Sequence, residues 1–305
     1  MAAQRTRPYT GAEYLESLRD GRENWIYGER VKDVTTHPAF RNAARTIARL
    51  YDALHDPKQK DVLTCPTDTG SGSFTHKFFR VAHSREDLIG QRNAIAHWAR
   101  LTYGWMGRSP DYKASLMNAL GANAAFYEKF AANATSWYAR SQNHVLFMNH
   151  AIVNPPVDRM NTPDKVKDVF ITIQKETDAG IVVSGAKVVA TSAAITHYNF
   201  MGQNATAMPL NDTDLAVMFI TPINAPGVKV ICRASYEMTA GVMGFLLPHL
   251  GTLAAGQPPQ QRGDDVLAGA FPCYRVYLCR GGGAMNITAR SVSAVGIAAF
   301  CPMKL

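Results

Sequence analysis

Few side chains in this sequence combine a type and a spacing that could do chemistry. The five cysteines, Cys65, Cys232, Cys273, Cys279 and Cys301, form no C-x-x-C pair and no zinc or iron–sulfur spacing. The glycine runs Gly70-Ser71-Gly72 and Gly281-Gly282-Gly283 lack the G-x-G-x-x-G order between a strand and a helix, so no nicotinamide site is legible. What remains is Arg108 between Gly107 and Ser109-Pro110, then Tyr112, His150, the Asp158-Arg159 pair and Thr191. An imidazole titrates near neutrality and can act as a base. A guanidinium such as that of Arg159 offers five donors in a fork. Taken singly, each residue also has an ordinary reading: Arg108 as a solvated helix end, His150 as a satisfied core histidine, Tyr112 as packing and Thr191 as a strand residue. Asp158 with Arg159 would then be a surface ion pair worth little.

The elements that must position these residues change character along the chain. Thr10-Gly11-Ala12-Glu13 has the S/T-x-x-E form of a capping box and predicts a short helix to Leu18, stopped by Gly21. Pro38 fits the first turn of a second helix, in which Phe40, Ala44, Ile47, Tyr51 and Leu54 recur at helical spacing up to Asp56-Pro57. Ser84 with Asp87 opens a third, through Leu88, Ile95, Ala99 and Tyr103; a fourth covers Leu116, Leu120, Ala124, Tyr127 and Phe130. After Asn154-Pro155-Pro156 the period becomes that of strands, at 168–174 and 180–184 around the turn signal Asp178-Ala179-Gly180, and again at 215–220 and 228–232. A helical domain followed by an antiparallel β-domain is the expected order.

Composition narrows the classes. With 305 residues, 47% apolar and 18% charged, the chain can bury a sizeable core and is expected to be globular and soluble. The 32 basic and 24 acidic residues give a net charge of +8, which would permit nucleic-acid contact. The cations are scattered singly among the acids rather than gathered in a stripe, which argues against that partner. No run of about 18 apolar residues occurs and no apolar segment follows Arg5 and Arg7, so neither membrane spanning nor secretion is expected. A reducing cytoplasm fits the cysteine usage.

Three stretches carry a family resemblance: Gly104 to Tyr112 (GWMGRSPDY), Asn149 to Arg159 (NHAIVNPPVDR), and Glu176 to Thr191 with its GAKVVAT ending. Together they resemble the 4-hydroxyphenylacetate 3-hydroxylase family. Tyr14 to Leu18, Asp33 to Pro38 and Ala225 to Arg233 extend the similarity, which runs from Thr10 to about Gly244. The resemblance implies an α+β, acyl-CoA dehydrogenase-like fold: an N-terminal helical domain at 1–153, an antiparallel β-barrel domain at 154–244, and in the family a C-terminal four-helix bundle. It implies the oxygenase component of a two-component aromatic monooxygenase. FAD, reduced to FADH2 by a separate NAD(P)H:flavin reductase, reacts with O2 to give a C4a-hydroperoxide that hydroxylates a phenol beside its hydroxyl. A homotetramer and the absence of a metal are also implied. On the family pattern Arg108, Tyr112 and His150 contact the phenol, while His150, Pro156, Val157, Asp158, Arg159 and Thr191 lie near the flavin. Pro156 stands where many relatives carry Gln, which removes any side-chain contact made there. The chemistry needs charge to leave the phenol oxygen, whose free pKa is near 10, so donors or positive charge at that oxygen would raise ring nucleophilicity.

The resemblance breaks after Tyr236 to Gly244. Phe245-Leu246-Leu247-Pro248-His249 replaces an S-P-F-D-Y-P-type segment, and residues 245–305 show no sustained period. The expectation is an irregular tail, translated out of frame or from a degraded gene, with the C-terminal bundle absent and little activity retained. Two alternatives stay open: a non-catalytic flavin- or phenol-binding fragment, and a 4-hydroxybutyryl-CoA dehydratase-like flavoenzyme, which needs a cluster-binding set of Cys and His.

Overall fold

The computed structural model describes residues 6–104, 106, 108–156, 165, 169–177, 180–202 and 218–233, and the strand backbones at 274–278 and 285–288. Helix α1 (Gly11–Ser17) starts on the predicted capping box, with Thr10 Oγ1 accepting from Glu13 N and the Glu13 carboxylate accepting from Thr10 N at 2.8 Å. Strands β1 (Glu23–Ile26) and β2 (Glu29–Val31) form a hairpin whose two turn residues, Tyr27 and Gly28, both have positive φ. That is the geometry which matches a two-residue loop to strand twist. Helix α2 (Arg41–Ala53) begins later than Pro38 predicts. The Asp33 carboxylate accepts from Thr35 N and from Thr35 Oγ1, so the proline lies in a side-chain-closed turn ahead of the helix.

A four-residue helix α3 (Lys60–Leu63) leads into the hairpin β3 (Thr64–Pro66) and β4 (Phe74–His76), and α4 (Arg85–Leu101) follows on its Ser84/Asp87 capping box. The single helix expected over 116–130 is instead α5 (Ala114–Ala122) and a 3-10 stretch, Ala124–Phe130, with Glu128 at φ 46°. The chain breaks there to return as α6 (Ala131–His144). The return is close: a Cβ at Gly121 would collide with the Tyr138 ring of α6.

Eight further strands complete the fold: β5 (Met148–Ala151), β6 (Thr172–Thr177), β7 (Gly180–Lys187), β8 (Tyr198–Met201), β9 (Phe219–Pro222), β10 (Val228–Cys232), β11 (Tyr274–Leu278) and β12 (Met285–Thr288). One sheet runs β12-β7-β11-β10-β1-β2 with β6 also on β7, and a second runs β5-β8-β9. Among the described residues these are sheets rather than a closed barrel, and they are not wholly antiparallel, because β1 pairs β10 and β5 pairs β8 in parallel. Strand period reports that a strand exists; its partner, here about 200 residues away for β1, is set by packing. Within 245–305 the described residues are two strand backbones: β11 pairs β10 and β7, and β12 pairs β7.

Helices and strands share one core. Tyr14, Phe40, Ile47, Tyr51 and Trp98 are buried in the same cluster as Val183, Ala190, Phe219 and Val230. Buried polar groups tie the two parts together: Tyr14 OH donates to Ile195 O at 2.7 Å, Tyr51 OH to Val145 O at 2.7 Å, and Arg22 to the carbonyls of Ala194 and Thr196 at 2.9 Å. Each satisfies a donor that would otherwise be costly to bury.

Candidate active site

Two elements meet at the site. Pro110 starts a 3-10 turn, Pro110–Lys113, that carries Tyr112 and Lys113. Its proline has no N–H to leave unsatisfied at that position. Ser109 Oγ donates to the Asp111 carboxylate inside the turn, and burial pushes the Asp111 carboxyl above the usual range. The turn packs on β5, which presents His150.

The result is a stack. The Arg108 guanidinium lies over the Tyr112 ring, 3.9 Å from its centroid, and Lys113 Nζ lies 4.7 Å from the same centroid. The Tyr112 and His150 rings are 5.6 Å apart and tilted by 39°. Cations on an aromatic face are attracted by the ring quadrupole, which helps hold two like charges together. Burial first, then Lys113, then Arg108 depress the His150 imidazole to about 4, so it is neutral at pH 7. Lys113 is depressed in turn by burial and by Arg108. His150 Nδ1 is buried without a hydrogen-bond partner among the described residues.

Arg108, Tyr112 and His150, singled out from the sequence, are thus brought together. Lys113 was missed there; its place directly after the aromatic residue and five after Arg108 is the only signal that could have found it. Thr191 is joined to the site through Asn149, whose Nδ2 donates to Thr191 O at 3.3 Å. Asn149 and His150 are successive strand residues, so their side chains take opposite faces of β5. Pro156 lies just beyond that strand, and Val157, Asp158 and Arg159 fall outside the described residues. The loop carrying Thr191 has Val189 at φ 62° and Ser192 at φ 69°, an uncommon backbone for non-glycine residues and most of all for valine. Among the described residues no three His, Cys, Asp or Glu side chains are grouped to hold a metal, and no helix is long and apolar enough to cross a membrane.

Residues 10–249 match the family model described as the N-terminal part of 4-hydroxyphenylacetate 3-hydroxylase. The chain is 63% identical over 242 residues to the oxygenase component of 4-hydroxyphenylacetate 3-monooxygenase from Pseudomonas aeruginosa, covering 79% of this chain and 46% of that protein. It is 57% identical over 238 residues to the oxygenase component of 4-nitrophenol 2-monooxygenase from a Rhodococcus species, covering 78% of this chain and 45% of that one. A crystal structure of the oxygenase component of 4-hydroxyphenylacetate 3-monooxygenase, complexed with FAD and 4-hydroxyphenylacetate, superposes with a TM-score of 0.76 at 29% identity, covering 95% of this chain and 56% of that one. The acyl-CoA dehydrogenase-like arrangement expected from the sequence is therefore present, and the chain spans about half the length of the curated relatives it matches. With its model matched from the first helix through β10, the chain belongs to the 4-hydroxyphenylacetate 3-hydroxylase family.

Proposed function

We propose that this chain carries the phenol- and flavin-binding part of a two-component, FADH2-dependent aromatic hydroxylase, adding a hydroxyl beside the phenol oxygen of its substrate. The observation that carries this reading is the convergence of Arg108, Lys113 and a neutral His150 around the Tyr112 ring. When bound, reduced FAD supplies the activated oxygen atom taken from O2. The rest of the work falls to side chains of this chain.

Two fixed cations favour the anionic form of a phenol bound beside them, and the ring then becomes the stronger nucleophile. His150 contributes a hydrogen bond more readily than proton storage. Moving a proton from a phenol near 10 to an imidazole near 4 is uphill by about six pK units, or about 8 kcal/mol. The cations must therefore lower the phenol first, after which the proton passes to solvent. The Tyr112 face orients the substrate ring. The residues fit the group: Asn149 Oδ1 is buried without a partner among the described residues while its Nδ2 donates to the Thr191 carbonyl, and His150 Nδ1, on the other face of β5, likewise lacks one. Thr191, Pro156 and His150 would hold the ring system, with Val157, Asp158 and Arg159 contributing from the sequence that follows. A separate NAD(P)H:flavin reductase, a tetrameric assembly and a cytoplasmic setting complete the reading.

The test supplies the purified chain with FAD, a generic NADH:flavin reductase and O2, over a panel of 4-hydroxyphenylacetate, chlorophenols, 4-nitrophenol and phenol. Saturable binding of FAD and of at least one phenol, with an O2-dependent ortho-hydroxylated product, is the expected outcome. A chain that binds neither ligand refutes the proposal. A second reading is a ligand-binding fragment without catalysis. It is recognised by binding without product.

A further inference from the structure

We propose that Lys187 is a positioning residue: its buried ammonium pins the Ile152 to Asn154 segment and thereby places Pro155 and Pro156 for flavin. This deepens the reading above and rests on it. Lys187 ends β7 and is 1% exposed. Among the largest fully buried side chains of the described residues it is the only charged one. A lysine at a strand end ordinarily extends its four-carbon stem and keeps the charge in water. Here Nζ donates instead to Ile152 O at 3.2 Å and to Asn154 Oδ1 at 2.6 Å. The next residue adds a third tie, with Val188 N donating to Val153 O at 2.9 Å. Three consecutive residues of the segment are therefore held from the end of one strand.

The placement of that clamp gives it a use. Ile152 is two residues beyond His150, and Asn154 is two before Pro156, so the clamp sits in the chain between His150 and Pro156. Val153 and Val189 flank it at 49% and 48% exposure, half-open apolar surface where a planar ring can pack. Burial depresses the Lys187 amine to about 7, so the fold works against the charge it encloses. A methionine would fill the same volume without that penalty but could not make the bonds to Ile152 and Asn154. Groups that hold metal ligands in place typically change metal affinity by about 10–100-fold, and an effect of that order is expected for flavin here.

The experiment compares the whole chain with Lys187→Met, Lys187→Arg and Asn154→Leu. FAD binding is read by flavin fluorescence, phenol binding by calorimetry with 4-nitrophenol, and the 152–154 amides by hydrogen exchange. Lys187→Met is expected to weaken FAD about tenfold or more. Its 4-nitrophenol affinity should stay within about threefold of wild type, and exchange should quicken at 152–154 but not in β8. Lys187→Arg should restore most of the FAD affinity, and Asn154→Leu should reproduce the loss without touching the core. Unchanged FAD affinity in Lys187→Met or in Asn154→Leu overturns the assignment. So does a parallel loss of both ligands with a fall in melting temperature that Arg fails to rescue. A wild-type chain that takes up 4-nitrophenol but no FAD refutes the flavin reading itself, and this assignment with it.

Discussion

Replacing Lys113 by Met should raise the pKa of His150, and the structure bounds by how much. The imidazole is lowered from 6.5 to about 4, a shift of about 2.5 units, and burial is the largest cause, ahead of Lys113 and then Arg108. Since burial outweighs Lys113 and Arg108 adds a further part, Lys113 accounts for less than half of the shift. Its removal should therefore raise His150 by no more than about one unit, equivalent to at most about 1.4 kcal/mol between the two protonation states. His150 stays neutral at pH 7 in the variant. Arg108→Met should raise it by less than Lys113→Met does. A proton–carbon NMR titration of the His150 Cε1–H resonance from pH 3 to 8, assigned with His150→Gln, reads both variants directly. A wild-type value near 6.5 would show that the imidazole is not buried. A full return to 6.5 in Lys113→Met would show that charge, not burial, sets the shift. Either result refutes the electrostatic account of the site.

Other consequences concern stability. Burial holds His76 and His197 down to about 3, so both are neutral in the fold and protonated in the unfolded chain below pH 6.5. Their stabilisation is present above 6.5 and is lost as pH falls toward 3, at about 2.7 kcal/mol per pH unit for two protons, with His150 adding to it down to about 4. Urea unfolding at pH 7, 6 and 5 measures this, and a slope below that of one proton contradicts it. Gly185 has φ +133°, and a Cβ there would strike the Phe170 carbonyl. Gly185→Ala should therefore cost about 1–3 kcal/mol or more in the same assay, and a neutral result would show that Phe170 gives way.

The sequence was most informative where the physics is local. Both capping boxes, Thr10 with Glu13 and Ser84 with Asp87, form as their spacing predicts, because the reciprocal bonds need only one helical turn. The convergence of Arg108 and Tyr112 on His150 was foreseen only through the resemblance. Taken singly, an arginine before Ser-Pro and a histidine in a strand have ordinary readings, and 38 residues separate Tyr112 from His150. Lys113 escaped notice because a lone lysine beside an aromatic residue is a common surface pattern. Lys187 escaped because nothing in a strand's alternation marks a charged residue as buried. The parallel pairing of β1 with β10 and the break at Glu128 depend on contacts between distant segments, which periodicity does not encode.

The claim on which the account rests is that Arg108 and His150 act on the same phenol oxygen. A double-mutant cycle on 4-nitrophenol binding, with Arg108→Met, His150→Gln and the pair, measures it, the absorption of the ionised ligand reporting its protonation state in the site. Each single change should weaken binding by about 1.5–3 kcal/mol. The pair should cost less than the sum by about 0.5 kcal/mol or more, with the bound ligand shifted toward phenol in both singles. Strictly additive losses, or a ligand bound equally well and equally ionised in every variant, would contradict a shared oxygen.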